Sequence, residues 1–200
     1  ADLGNLTRAC DIWGKTSVVR VQDNDYATIY RTLDRGAQAI VVPHVNTRRE
    51  AEAVVEAAKF APVGKRGMFT SRQGFGVEDY LKTANDQSAL MILIEDIAAA
   101  KALDEIVKVE HIDVFFVAPG DLAASMGRIG QMTHPDVQKV INDAIGTIVK
   151  AGRTAGTLVN LGNVERYTKL GVRCLMSPFF PWVQAGLKDL TERAAKGAKG

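Results

Sequence analysis

The chain alternates short, almost unbroken apolar runs with longer stretches in which apolar residues recur every three or four positions. The runs fall at residues 17–21, 39–45, 89–95, 113–119, 153–159 and 172–177 and are rich in Val, Ile and Leu. Near-continuous apolar character over strand length is the pattern of parallel strands covered on both faces. Between the runs, Ala51, Val54, Val55 and Ala58 share one helical face, after a cap at Asn46 or Thr47. The clearest helix spans residues 135–149, with its stripe at Val137, Val140, Ile141, Ala144, Ile145, Ile148 and Val149. Thr133 ahead of it, Pro135 in the first turn and Asp136 form a start signal, and Gly152 is the expected stop. Leu3, Leu6, Ala9, Cys10 and Trp13 predict a helix at the opening of the chain. Residues 64–76 form the longest irregular stretch, a length often associated with function in a compact α/β protein.

Six strand–helix units in series suggest either a doubly wound sheet or a (β/α)8 barrel. No G-x-G-x-x-G follows an early strand, and residues capable of chemistry end several different strands, which favours the barrel. The expected fold is therefore α/β, a (β/α)8 TIM-type barrel lacking its first one or two strands. Residues 1–200 would be one barrel domain carrying strands three to eight and the helices that follow them. The opening Ala1-Asp2-Leu3, without an initiator Met, is read as a cut or unobserved N-terminus.

Composition narrows the function classes. The 200 residues are 46% hydrophobic, which fits one well-buried globular domain and not a disordered chain. A net charge of +2 with scattered Lys and Arg gives no reason to expect nucleic acid as a partner. No signal peptide and no apolar run of about 20 residues is present, so no membrane span is expected. Cys10 and Cys174 are far apart and outside any C-x-x-C, the usage of reduced thiols in a cytoplasmic protein.

Two carboxylates carry most of the chemical information. Glu95 ends the run Leu90-Met91-Ile92-Leu93-Ile94, and Asp121 follows Phe115-Phe116-Val117-Ala118-Pro119-Gly120. Each stands where a buried strand stops and a helix begins, the edge at which parallel α/β proteins bind ligands. On neighbouring strands they would converge on one divalent cation. Mg²⁺ accepts one or two protein carboxylates and keeps room for substrate oxygens. Asp121 also fits a helix N-cap, and Asp96 a helix start. His44 reads as structural or as an edge of the substrate site, and His111 and His134 as loop and helix-start residues. Arg66 and Arg72 are candidates for a distal substrate carboxylate. Phe179, Phe180 and Trp182 read as core or subunit interface.

Several collinear segments are similar to the HpcH/HpaI aldolase family. They are Val18-Val19-Arg20, Gly36-Ala37-Gln38-Ala39-Ile40-Val41-Val42-Pro43, Pro62-Val63-Gly64-Lys65-Arg66-Gly67, Ala84-Asn85-Asp86-Gln87, Ile94-Glu95 and Ala118-Pro119-Gly120-Asp121-Leu122. The resemblance runs from about Leu3 to the C-terminus. It implies a (β/α)8 barrel, commonly a homo-oligomer (a hexamer), that cleaves 4-hydroxy-2-oxo acids into pyruvate and an aldehyde. A divalent metal is implied as cofactor: Mg²⁺ or Mn²⁺, with Co²⁺ a further candidate.

By resemblance, Glu95 and Asp121 hold the metal, and Arg20 contacts the pyruvate keto oxygen. Thr70 places a hydroxyl near the pyruvate carboxylate, and backbone N–H groups around Gly120 and Asp121 bind it. Asp34 matches a carboxylate that pairs with a histidine in an acid/base dyad, the histidine lying upstream of Ala1. Three alternatives go with this reading: an oxaloacetate decarboxylase, an acyl-CoA lyase of the same superfamily, or a catalytically silent barrel piece serving only in assembly.

Overall fold

The computed structural model describes residues 2–68 and 71–198. Each apolar run becomes a strand, trimmed at its ends: β1 (Val18–Arg20), β2 (Ala39–Val42), β3 (Ala89–Ile94), β4 (Val114–Val117), β5 (Ala155–Leu158) and β6 (Cys174–Met176). All neighbours pair in parallel, and the spatial order β1-β2-β3-β4-β5-β6 is the chain order. A doubly wound sheet reverses its strand order at a switch point, whereas successive addition on one side generates a barrel wall. The sheet is therefore a six-stranded arc of the barrel type.

Helices link the strands. Helix α1 (Leu3–Ile12) precedes β1, while α2 (Tyr26–Asp34) and α3 (Arg48–Ala58) flank β2. Helix α4 (Tyr80–Gln87) leads into β3, and the short α5 (Ile97–Lys101) and α6 (Leu103–Ile106) join β3 to β4. Helices α7 (Pro119–Ser125) and α8 (Pro135–Lys150) follow β4, α9 (Val164–Lys169) follows β5, and α10 (Phe179–Gly197) follows β6. Local chemistry sets the starts. Thr47, not Asn46, caps α3 in a reciprocal capping box with Glu50. His134, not Thr133, caps α8 by accepting the Asp136 N–H at 3.2 Å. Gly152, at φ +72°, ends α8 as expected.

Alternation along the strands sorts side chains into two layers. Ile40, Val42, Leu90, Ile92, Ile94, Phe115 and Val117 face the helices and join Leu33, Val54, Leu103, Ile106, Ile141 and Ile145 in the main core. Each such fully buried aliphatic or aromatic side chain contributes about 1.5–3 kcal/mol. The alternate residues Val41, Leu93, Val114, Phe116 and Ala118 form a smaller cluster on the concave face. Phe116 fills this face so fully that a Cβ on Gly156, its partner across β4 and β5, would lie 2.6 Å from the ring.

The same alternation decides which polar residues look into the concave side. In a parallel pair, register partners share a face. Arg20 pairs with Val41, a concave-face residue, so Arg20 belongs to that face. Glu95 continues the parity of Met91 and Leu93 just past the end of β3. The predicted opening helix forms, but Leu6 and Trp13 remain largely exposed. Phe179, Phe180 and Trp182 are exposed on α10 and are not part of the core. Among the described residues, no helix is long and apolar enough to cross a membrane.

Candidate active site

The strand C-termini gather the polar residues. The Ala118 N–H donates to the Ile94 carbonyl at 3.1 Å, so the ends of β3 and β4 stay in register up to the points where Glu95 and α7 begin. Asp121 stands in the first turn of α7, exposed at the same edge. It is not the cap, since Ala118 occupies that position. Pro119 at the helix start has no N–H to lose there, and Gly120 follows it in the first turn.

Glu95 is only 2% exposed. Its Oε1 accepts the His44 backbone N–H at 2.9 Å and lies 3.3 Å from His44 Nδ1. Among the described residues no Lys or Arg forms an ion pair with it. A buried carboxylate met only by one backbone N–H and a half-exposed imidazole is costly. The placement therefore fits a site for a metal cation, and two carboxylates with space for further oxygens fit a hard divalent ion. Among the described residues no group of three His, Cys, Asp or Glu side chains forms a metal cage. Such an ion would rely on Glu95, Asp121, waters and substrate oxygens.

His44 was expected to be structural or at the substrate edge, and the structure places it against Glu95 and Asp96. It sits just past β2 with φ +54°, and its ring Nδ1 is 3.0 Å from Asp96 Oδ2. Its pKa is raised, first by the hydrogen bond to Asp96 and then by the charges of Glu95 and Asp96, against desolvation and the charge of Arg20. The rule that singled out Glu95, a polar residue ending a buried strand, applies equally to His44.

Glu95, Asp121, Gly120 and Arg20 thus share one edge; Asp34 does not. Helix α2 leaves the C-terminal end of β1 and runs back, so its last residue, Asp34, lies near the start of β2. There its Oδ1 receives Arg66 Nη2 at 2.8 Å and Nε at 3.3 Å, with both side chains buried. Helix direction carries Asp34 to the opposite rim from Glu95, where it pairs with a buried arginine. Arg66 is consequently not available to a substrate carboxylate. Arg72 is also engaged elsewhere, donating to Asp11 at 2.8 Å and to Thr7 at 3.2 Å. Thr70 lies outside the described residues.

A cavity of about 550 Å³ borders the edge beyond β4, lined by Pro119, Met132, Leu158, Asn160 and Trp182 among others. Its walls are mostly apolar, so it adds shape and not charge to the site.

The chain is similar in sequence and fold to known proteins. A model of the HpcH/HpaI aldolase/citrate lyase family matches residues 4–174, and the chain belongs to that family. A hydroxypyruvate/pyruvate aldolase of Roseovarius nubinhibens is 37% identical over 163 residues, covering 79% of this chain and 63% of the relative. A 4-hydroxy-2-oxo-heptane-1,7-dioate aldolase of Shigella sonnei is 39% identical over 159 residues, covering 77% and 61%. The chain spans about three fifths of the length of these curated relatives. Among solved structures, a HpcH/HpaI aldolase/citrate lyase family protein from Burkholderia cenocepacia superposes with a TM-score of 0.90 at 27% identity. That match covers 97% of this chain and 80% of the other.

Proposed function

We propose that the protein is a carbon–carbon lyase, a class II aldolase. It would split a 4-hydroxy-2-oxo acid into pyruvate and an aldehyde, and join them in reverse. The carrying observation is Glu95: a buried carboxylate without a Lys or Arg partner, one strand from Asp121, in a chain of this family. The relatives named as aldolases point the same way.

Glu95 and Asp121 would hold the divalent metal, Mg²⁺ or Mn²⁺. When bound, that ion supplies a Lewis acid for the carboxylate and keto oxygens of the 2-oxo acid. Arg20, on the concave face, donates to the keto oxygen as negative charge develops there on rupture of the C3–C4 bond. Fixed donors of this kind are worth about 2.7–4 kcal/mol each. The N–H groups of Gly120 and Asp121 bind the pyruvate carboxylate. In this proposal Asp34 moves no proton; it serves the fold.

The remaining attributes are proposals of the same reading: a closed (β/α)8 barrel as the working domain, a homo-oligomer, and a cytoplasmic setting in which Cys10 and Cys174 stay as thiols. The free thiols and the apolar residues left exposed on α10 support the last two.

Proton NMR of pyruvate in D2O tests the function. Metal-dependent loss of the methyl signal is expected, and Glu95→Ala and Asp121→Ala should each abolish it while the circular dichroism spectrum is kept. Full exchange in either variant, or exchange indifferent to added metal, would sink the assignment.

A further inference from the structure

His44 has more contacts than a loop residue needs. Its carbonyl accepts from Asn24 Nδ2 at 3.1 Å, from the connection between β1 and α2. Its N–H donates to Glu95 Oε1, past the end of β3, and its ring Nδ1 faces Asp96 Oδ2. One residue therefore ties three successive strand-to-helix connections together. It does so from the left-handed region, which L side chains adopt only where the surroundings impose it. Such strain concentrates at sites where geometry is functional.

The proton position follows from the partners. A carboxylate oxygen accepts, so the tautomer that suits these partners carries its hydrogen on Nδ1, which is 3.0 Å from Asp96 Oδ2 and 3.3 Å from Glu95 Oε1. Asp96 and Glu95 are adjacent acids whose like charges repel. The ring N–H holds Asp96 Oδ2 at 3.0 Å while also facing Glu95. It leaves Glu95 with Oε1 fixed and with Oε2 accepting no hydrogen bond among the described residues.

We infer that His44 is a positioning residue: its backbone and ring together set the buried Glu95 carboxylate for a divalent cation while the ring holds Asp96. The inference rests on the reading of Glu95 as a metal ligand. His44 need not touch substrate; it acts through Glu95, as groups supporting metal ligands do.

The test is Mn²⁺ binding, read from the loss of the free-ion EPR signal, independently of turnover. His44→Gly deletes the ring at a backbone conformation glycine prefers, so the fold is not burdened by the change. His44→Asn retains a side-chain N–H donor, and asparagine tolerates a positive φ. Glu95→Gln serves as the reference. His44→Gly should weaken Mn²⁺ binding about 10–100-fold. His44→Asn should restore most of that loss, and kcat of His44→Gly should recover at saturating Mn²⁺ while the metal requirement stays raised. Wild-type Mn²⁺ affinity in His44→Gly, with affinity lost in Glu95→Gln, would overturn the role of His44 and leave Glu95 standing. Undiminished affinity in Glu95→Gln would overturn the metal assignment itself.

Discussion

Replacing Asp34 by Asn separates a structural role from a catalytic one. Arg66 is 1% exposed at its side chain and Asp34 8%, with Nη2 and Oδ1 at 2.8 Å. The guanidinium also lies over the Phe60 ring, 4.4 Å from its centroid. That contact remains after the substitution, but it cannot neutralise the charge. Removing one member of a buried pair generally costs about 3–5 kcal/mol, because the other charge stays behind unpaired. The amide oxygen of Asn still accepts a hydrogen bond, so the lower end, about 3 kcal/mol, is expected for Asp34→Asn. For a chain of this size, about 2–4 °C per kcal/mol translates this into a melting point lower by roughly 6–12 °C.

Urea titration followed by far-UV circular dichroism measures the loss. The exposed Trp13 would report poorly by fluorescence. The double variant Asp34→Leu, Arg66→Met should recover most of the stability, since apolar replacement of a whole buried pair is often neutral or better. Below its melting range, Asp34→Asn should exchange pyruvate protons like the parent. An unchanged urea midpoint combined with lost exchange would refute the structural account and return Asp34 to the acid/base machinery.

Other expectations follow from single contacts. Arg20→Ala should lower kcat about 10²–10³-fold with little change in Mn²⁺ affinity, checked by steady-state kinetics beside EPR titration. Gly156→Ala should destabilise by about 1–3 kcal/mol, because its methyl meets the Phe116 ring and the Val114 methyl on the crowded concave face; urea unfolding reads this directly. Lys59 is buried, donating to the Asn85 and Ser88 carbonyls at 2.6 and 2.7 Å, and burial lowers its pKa below the usual 10.5. Between the lowered value and 10.5 the unfolded chain binds more protons, so this residue makes stability rise with pH across that window. Urea midpoints collected up to pH 10.5 should show the rise in the parent and a flatter profile in Lys59→Met.

The strands were legible because burial on both faces leaves a purely local mark, an unbroken run of Val, Ile and Leu. Helix starts were less so. Asn46 and Thr47 both suit a cap, and only the reciprocal bond with Glu50 chooses between them. Glu95 and Asp121 could be read as strand-end acids from their position after apolar runs. His44 obeyed the same rule, yet its weight came from partners 51 and 52 residues away, which no local pattern reveals. The partners of Asp34 and Arg72 were hidden for a related reason: a residue's type states its charge, while the direction of its helix or loop states which rim receives it.

By itself the sequence determined the order of strands and helices, the parallel sheet and the family, because periodicity and collinear motifs are written in neighbouring residues. Tertiary structure decided the rest. Register put Arg20 on the concave face, the return direction of α2 carried Asp34 to the far rim, and the packing of three strand ends set His44 against Glu95. Those outcomes depend on contacts between residues far apart in the chain, and such contacts exist only once the sheet has formed.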